Sequence, residues 1–133
     1  MKSGHNTGFT LLEVMIVVAI IGIIASVAYA SYTNQVMRTN RSDAIAMLND
    51  ASQRLQRCYT TYSRYDSDDC AAFSTYEAGV ESSEGYYEVE LTASTATTYT
   101  LTATPIRAPQ TNDTNCPTLT LTHAGVRSPE DCW

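Results

Sequence analysis

From Leu11 to Ala30 the chain is an almost unbroken apolar run whose one charged member is Glu13. At about 1.5 Å per residue, a helix of that length reaches about 30 Å, the thickness of a bilayer's hydrocarbon core. The segment can therefore span a membrane once. A carboxylate at the centre of a span costs roughly 2.5 to 3.5 kcal/mol on insertion scales, so Glu13 calls for a partner or a place near the membrane edge. Cleavage after Gly8 supplies such a partner, a new α-amine on Phe9, four residues from Glu13.

An ordinary secretory signal has an apolar core of about 7 to 15 residues and a small-x-small cleavage site, and Ala28-Tyr29-Ala30 offers such a site. The apolar run is too long for that reading, contains Glu13, and follows a start whose only charge is Lys2. A plain anchor that is never processed is the other alternative. Lys2 on the short side places the N-terminus in the cytoplasm by the positive-inside bias, with the rest of the chain outside.

Of the 133 residues, a leader of eight and a membrane segment at 9–30 leave 31–133 for one small external domain, enough chain for a single modest core. That part carries Cys58, Cys70, Cys116 and Cys132, an even number whose spacing lacks the paired C-x-x-C of zinc sites. Outside the cytosol they read as two disulfides. Shorter loops favour Cys58 with Cys70 and Cys116 with Cys132, although four cysteines permit three pairings and spacing does not choose among them. Each bond contributes about 3 kcal/mol by restricting the unfolded chain.

The helix is expected to continue beyond the membrane. Ala44, Leu48, Ala51, Leu55, Cys58 and Tyr62 recur at gaps of four and three, a stripe on one helical face that reads as core rather than as a coiled-coil seam. Asp50 and Arg54 form an i,i+4 pair, and Arg54 and Arg57 fall near the expected C-terminal end, where cations suit the helix dipole. One helix from Phe9 to near Tyr62 follows. Ser63 to Gly85, with Asp66, Asp68, Asp69, Gly79 and Ser82-Ser83, reads as loop. Period two then takes over: Tyr87, Val89, Leu91 and Ala93 oppose Tyr86, Glu88, Glu90 and Thr92, Tyr99, Leu101 and Ala103 oppose a threonine face, and Leu119 and Leu121 alternate with threonines. Ser94 to Thr97 makes the hairpin connection, and Gly125 marks a turn. The fold class is α+β, an antiparallel meander with its apolar face on the helix stripe.

The stretch Gly8-Phe9-Thr10-Leu11-Leu12-Glu13-Val14-Met15-Ile16-Val17-Val18-Ala19-Ile20-Ile21-Gly22-Ile23-Ile24-Ala25 resembles the N-terminal signal of type IV pilins and pseudopilins. Asn40-Arg41-Ser42-Asp43-Ala44, Gln53-Arg54-Leu55-Gln56-Arg57-Cys58-Tyr59, Leu119-Thr120-Leu121-Thr122-His123-Ala124-Gly125 and the ending Cys132-Trp133 resemble PilE-type minor pilins. The resemblance implies cleavage after Gly8 by prepilin peptidase, N-methylation of Phe9, and assembly in which Glu13 faces the N-terminal amine of a neighbouring subunit. A subunit seated out of register would leave that charge unsatisfied. It also implies the pilin fold: a leader at 1–8, a polymerisation helix at 9–30, a helix continuation at 31–62, an αβ-loop at 63–85, a sheet at 86–122 and a disulfide-closed D-region at 116–132. The implied partners are other major and minor pilins through the N-terminal helix, the peptidase, and the assembly machinery of the inner membrane. The implied places are the inner membrane before assembly and an extracellular pilus after it, serving pilus assembly and twitching motility. One departure is Ala30, where many pilins carry a proline that accompanies local helix melting. Gly22 is still present and lowers helix propensity by about 1 kcal/mol relative to alanine.

Nothing in the chain argues for catalysis, a cofactor or a metal. After leader removal the one histidine is His123, and Asp66, Asp68 and Asp69 lack the glycine and distal glutamate of a calcium loop. The chain is also similar to ComP-type competence pilins, which bind DNA uptake sequences. Against that, the mature chain has seven arginines, no lysine and fourteen acids, a net −7 on side chains, which disfavours a general phosphate-binding surface. Arg107, which precedes the D-region, and Arg127, within it, are the candidate local contacts. Adhesion through Trp133 and the tyrosines, and a pseudopilin role in type II secretion, are further alternatives.

Overall fold

The computed structural model describes residues 8–133; the leader positions 1–7, with Lys2, lie outside the described residues. The chain divides into two units, with the boundary between Gln35 and Val36. Helix α1, Leu11–Tyr62, contributes to both. In the first unit, every residue from Gly8 to Tyr32 is exposed. Thr10 caps the helix, its Oγ1 accepting the Glu13 N–H at 3.2 Å. The polar side chains beyond are satisfied on their own helix: the Ser26 hydroxyl donates to the Ile23 carbonyl at 2.7 Å and Thr33 to the Tyr29 carbonyl at 3.1 Å.

In the second unit, α1 buries Asn40, Ala44, Leu48, Ala51 and Leu55, the stripe expected from the spacing. The stripe ends sooner than expected. Cys58 is half-buried in a disulfide to Cys70 and Tyr62 is exposed, because the bond draws the returning chain onto the helix a turn before its end. The last turn holds no basic residue, so Arg54 and Arg57 do not serve as dipole partners there. Arg54 instead donates to Asp50 at 2.7 Å, and α1 closes on Ser63, whose left-handed φ of 58° lets its N–H reach the Tyr59 carbonyl at 2.8 Å.

The segment 63–85 is more structured than its loop composition suggested. It holds helix α2, Ala71–Glu77, with Tyr76 buried and the Cys70 sulfur accepting the Phe73 N–H, and strand β1, Val80–Glu81. A seven-residue helix cannot persist on propensity alone. The Cys58–Cys70 bond at its start and the burial of Tyr76 hold it. Strands β2 (Tyr87–Ser94), β3 (Tyr99–Pro105), β4 (Leu119–Thr122) and β5 (Arg127–Ser128) complete an antiparallel sheet in the order β1-β2-β3-β4-β5. The β2–β3 turn is tied by the Thr95 N–H on the Thr98 carbonyl at 2.8 Å and by their two hydroxyls at 2.7 Å. A register shift between Leu91 and Ala93 inserts Thr92. Beyond that bulge the faces exchange, so Ala93, expected on the apolar face, is exposed. Tyr87, Val89, Tyr99, Leu101, Ala103, Leu119 and Leu121 pack with the α1 stripe in one core, where Ala44 and Ala51 are the small residues on the helix side.

Two fasteners tie the C-terminal region to this core. Cys116 is bonded to Cys132, and a short 3-10 turn at Gln110–Asn112 plants Gln110, fully buried, against α1. The Gln110 amide donates to the Tyr87 hydroxyl at 2.8 Å and to the Met37 carbonyl at 3.2 Å, while its Oε1 accepts from Asn40 at 3.3 Å. Asp113 follows, paired with Arg41 and accepting the Cys116 N–H through its other oxygen.

Candidate functional site

The functional residues expected from sequence fall into two places, the N-terminal junction and the C-terminal region. At the junction Phe9 is 81% exposed and Gly8 has open space around its Cα. Glu13 stands at the third helical position after Thr10, the T-x-x-E spacing of a capping box. Sequence reasoning weighed Glu13 only as a buried charge and passed over this spacing. A carboxylate in the first turn also complements the positive end of the helix dipole. Among the described residues its side chain makes no ion pair. The group thus helps start the helix and remains open to a partner from outside the chain. Downstream, α1 is long and apolar enough to cross a membrane by length and composition. With no residue of its N-terminal apolar part, 11–32, buried, that surface needs lipid or other helices around it.

The two candidate arginines are not brought together. Arg107 lies with its guanidinium 6.0 Å above the Tyr86 ring, beside Gly85, where an added Cβ would come within 3.3 Å of the arginine Nη1. Arg127 opens β5, at the other edge of the sheet, 5.1 Å above the Trp133 ring. Around Trp133 the structure gathers different residues. One shallow groove is lined by Arg127, Val126 and Glu130, and a second by Arg38, Arg41, Ser42 and Asp131. Arg38 and Arg41 were not singled out from sequence, although their three-residue spacing puts them on one helix face. Each groove carries an acid beside its arginines, and Arg41 is engaged by Asp113, so the surface is mixed in charge.

The remaining candidates are structural. His123 is exposed, its ring 6.2 Å from Tyr99. Asp66 accepts from Arg64 at 2.6 Å, and that guanidinium holds its carboxyl below the usual range. Among the described residues no group of three His, Cys, Asp or Glu side chains could hold a metal ion. Tyr65, Tyr76, Tyr87 and Tyr99 are buried in the core, where Tyr65 meets Tyr99 edge-on at 4.8 Å, while the exposed Tyr59 stacks on Tyr65 at 4.6 Å.

Residues 30–120 match the family model described as type IV minor pilin ComP, DNA uptake sequence receptor, and residues 4–29 match the prokaryotic N-terminal methylation motif. Among solved structures, the non-core minor pilin PilV of Neisseria meningitidis is similar at a TM-score of 0.54 and 22% identity, over 71% of this chain and 86% of that one. A type IV pilin from Shewanella oneidensis is similar at a TM-score of 0.55 and 29% identity, over 73% of this chain and 97% of that one. No curated protein matches the chain.

Proposed function

Given that the chain belongs to the type IV minor pilin family, a family of structural subunits rather than enzymes, we propose that it is processed after Gly8, methylated on Phe9 and built into a pilus in support of assembly and twitching motility. The observation that carries this reading is the all-round exposed apolar helix that begins two residues after Phe9. Before processing, the segment 9–30 holds the subunit in the inner membrane with 31–133 on the periplasmic side. On joining the filament, lipid contact is exchanged for helix contact. That exchange yields little hydrophobic gain, because lipid tails are as apolar as leucine, so packing and polar pairing direct it. Glu13 supplies the pairing: facing the amine of a neighbouring subunit's first residue, its charge is satisfied in one register and left unpaired in others. The test is to locate the protein in purified pili and to compare piliation and twitching with and without it. Its absence from pili, with both properties unchanged on deletion, counts against the proposal.

A second reading is favoured by the family model, whose description names a DNA uptake sequence receptor. Arg127 over Trp133, with Arg38 in the neighbouring groove that Trp133 also lines, is the surface that supports it. The acidic balance and the separation of Arg107 from Arg127 weigh against a broad phosphate track. A gel shift of the full chain in detergent over a salt series distinguishes the readings, since phosphate contacts weaken steeply as salt rises. No shift at low salt removes this reading and leaves the assembly role standing.

A further inference from the structure

The two disulfides are not equally sheltered. Cys116 and Cys132 are each 4% exposed, the latter bordering the groove beside Trp133 yet covered there. Cys70 is 1% exposed, but its partner Cys58 is only half-buried. Cys58 lines a groove between α1 and α2 whose walls also carry Arg54, Arg57, Ala72, Thr75 and Tyr76. Arg54 is paired with Asp50, whereas Arg57, exposed beside Cys58, enters none of the ion pairs among the described residues. A guanidinium next to a sulfur favours thiolate over thiol, and a disulfide opens by attack of a thiolate on an accessible sulfur. We propose that Cys58–Cys70 is an exchange-competent bond, opened by a dithiol through this groove, and that its opening frees α2 while the rest of the head stays folded.

The chain around the bond allows a release of limited extent. Helix α2 begins at the residue after Cys70, whose Sγ accepts the Phe73 N–H at 3.4 Å. A helix so short is marginal without a tie at its start. Upstream, the Tyr65 N–H on the Ala96 carbonyl at 3.0 Å fastens the chain to the β2–β3 turn; downstream, β1 is paired with β2. Loss of the bond therefore loosens 66–79 and leaves both ends anchored. Ala44, Leu48, Ala51 and Leu55 pack with the strand residues, and Cys116 with Cys132 closes the C-terminal region, so neither depends on the first disulfide. Local opening of such a segment costs far less than unfolding the core.

The exchange runs in two displacements. A thiolate of the dithiol attacks the Cys58 Sγ and forms a mixed disulfide, while the electron pair of the broken bond goes to Cys70, which leaves as a thiolate beside the Phe73 N–H and takes a proton from water. The second thiol, deprotonated, then attacks the mixed disulfide; Cys58 leaves with the electron pair and is protonated, and the reductant departs as its own disulfide. Two electrons and two protons have passed to the protein pair. The head thereby has two surfaces, one with α2 docked beside α1 and one with it released, and the redox state selects between them.

Differential alkylation of the full oxidised chain, in detergent and without denaturant, tests the proposal. Dithiothreitol is added in one arm and reduced thioredoxin in another, samples are taken over time into iodoacetamide, and the labelled cysteines are assigned by mass spectrometry. The expected result is labelling of Cys58 and Cys70 at least roughly tenfold faster than of Cys116 and Cys132, since the covered pair awaits a larger opening. Reaction with dithiothreitol alone assigns a small dithiol as the reductant, and reaction in both arms extends it to a dithiol carried on a protein. Arg57→Gln, at an exposed position, is expected to slow the first pair several-fold and leave the second unchanged; an unchanged first rate overturns the arginine's role. Chymotrypsin cleavage after Phe73 and Tyr76 should appear as the first pair is reduced and be absent before. Equal rates for the two pairs, or earlier reduction of Cys116–Cys132, overturn the proposal, and selective reduction without new cleavage overturns the release of α2.

Discussion

At the scale of single residues, Glu13 has two physical roles that substitutions can separate. Its backbone N–H donates to the Thr10 cap, a role any residue at this position keeps; its charge can pair with an amine, a role glutamine lacks. Glu13→Gln is expected to keep the protein processed and membrane-inserted while reducing its recovery in sheared pili, and Glu13→Ala to do so at least as strongly. Immunoblots of membrane and pilus fractions measure both, and normal incorporation of Glu13→Gln means that the charge is dispensable. Gln110 is the other telling residue. Replacing it by leucine leaves the Asn40 amide and the Tyr87 hydroxyl without their partner, at a cost of about 1 to 3 kcal/mol for each buried group so stranded. A fall in the urea midpoint with an unchanged slope is the expected signature. Two tyrosines add a pH dependence. Burial raises the phenol pKa of Tyr65 and of Tyr76 above the ordinary value of 10.0. Because the folded values exceed the unfolded ones, their contribution is complete below about pH 10 and is lost as pH rises through the folded values. Thermal unfolding from about pH 7 to about pH 11 should show this alkaline decline, diminished in Tyr65→Phe.

At the scale of elements, the α1 stripe and the sheet carry the core. Leu48 is fully buried between them, and Leu48→Ala is expected to destabilise by about 2 to 5 kcal/mol, measurable by denaturant unfolding. What could be read in advance was what repeats. The four-and-three gaps of Ala44 to Leu55 and the alternation in β2, β3 and β4 announced a helix packed on an antiparallel sheet, because burial on one face imposes those periods. Shorter pieces were invisible: α2 has seven residues and β1 and β5 two each, too few to show a period. Ala93 was misplaced because a one-residue bulge at Thr92 leaves no mark in the alternation before it. Contacts between distant residues were equally hidden, since nothing local to Asn40 points to Gln110, seventy positions away. The same limit applies to the candidate surfaces. The Gly8-Phe9 junction and Glu13 are contiguous in sequence and could be found there, whereas the grouping of Arg38, Arg41 and Arg127 around Trp133 exists only after the C-terminal region has folded back on α1.

At the scale of the whole molecule, a minor pilin has to do two incompatible things in turn, remain in a lipid bilayer and then join a polymer. Under the function proposed here, the apolar segment, free of charge except at Glu13, would serve the first, and the terminal amine that cleavage at Gly8-Phe9 would create would serve the second. The central claim is that this terminus is made and used. Intact-mass and N-terminal fragment mass spectrometry of the protein recovered from piliated cells tests it most directly. The account predicts a chain that begins at Phe9 and carries one added methyl group on its amine; a chain that begins at Met1 or beyond Ala30 would contradict it.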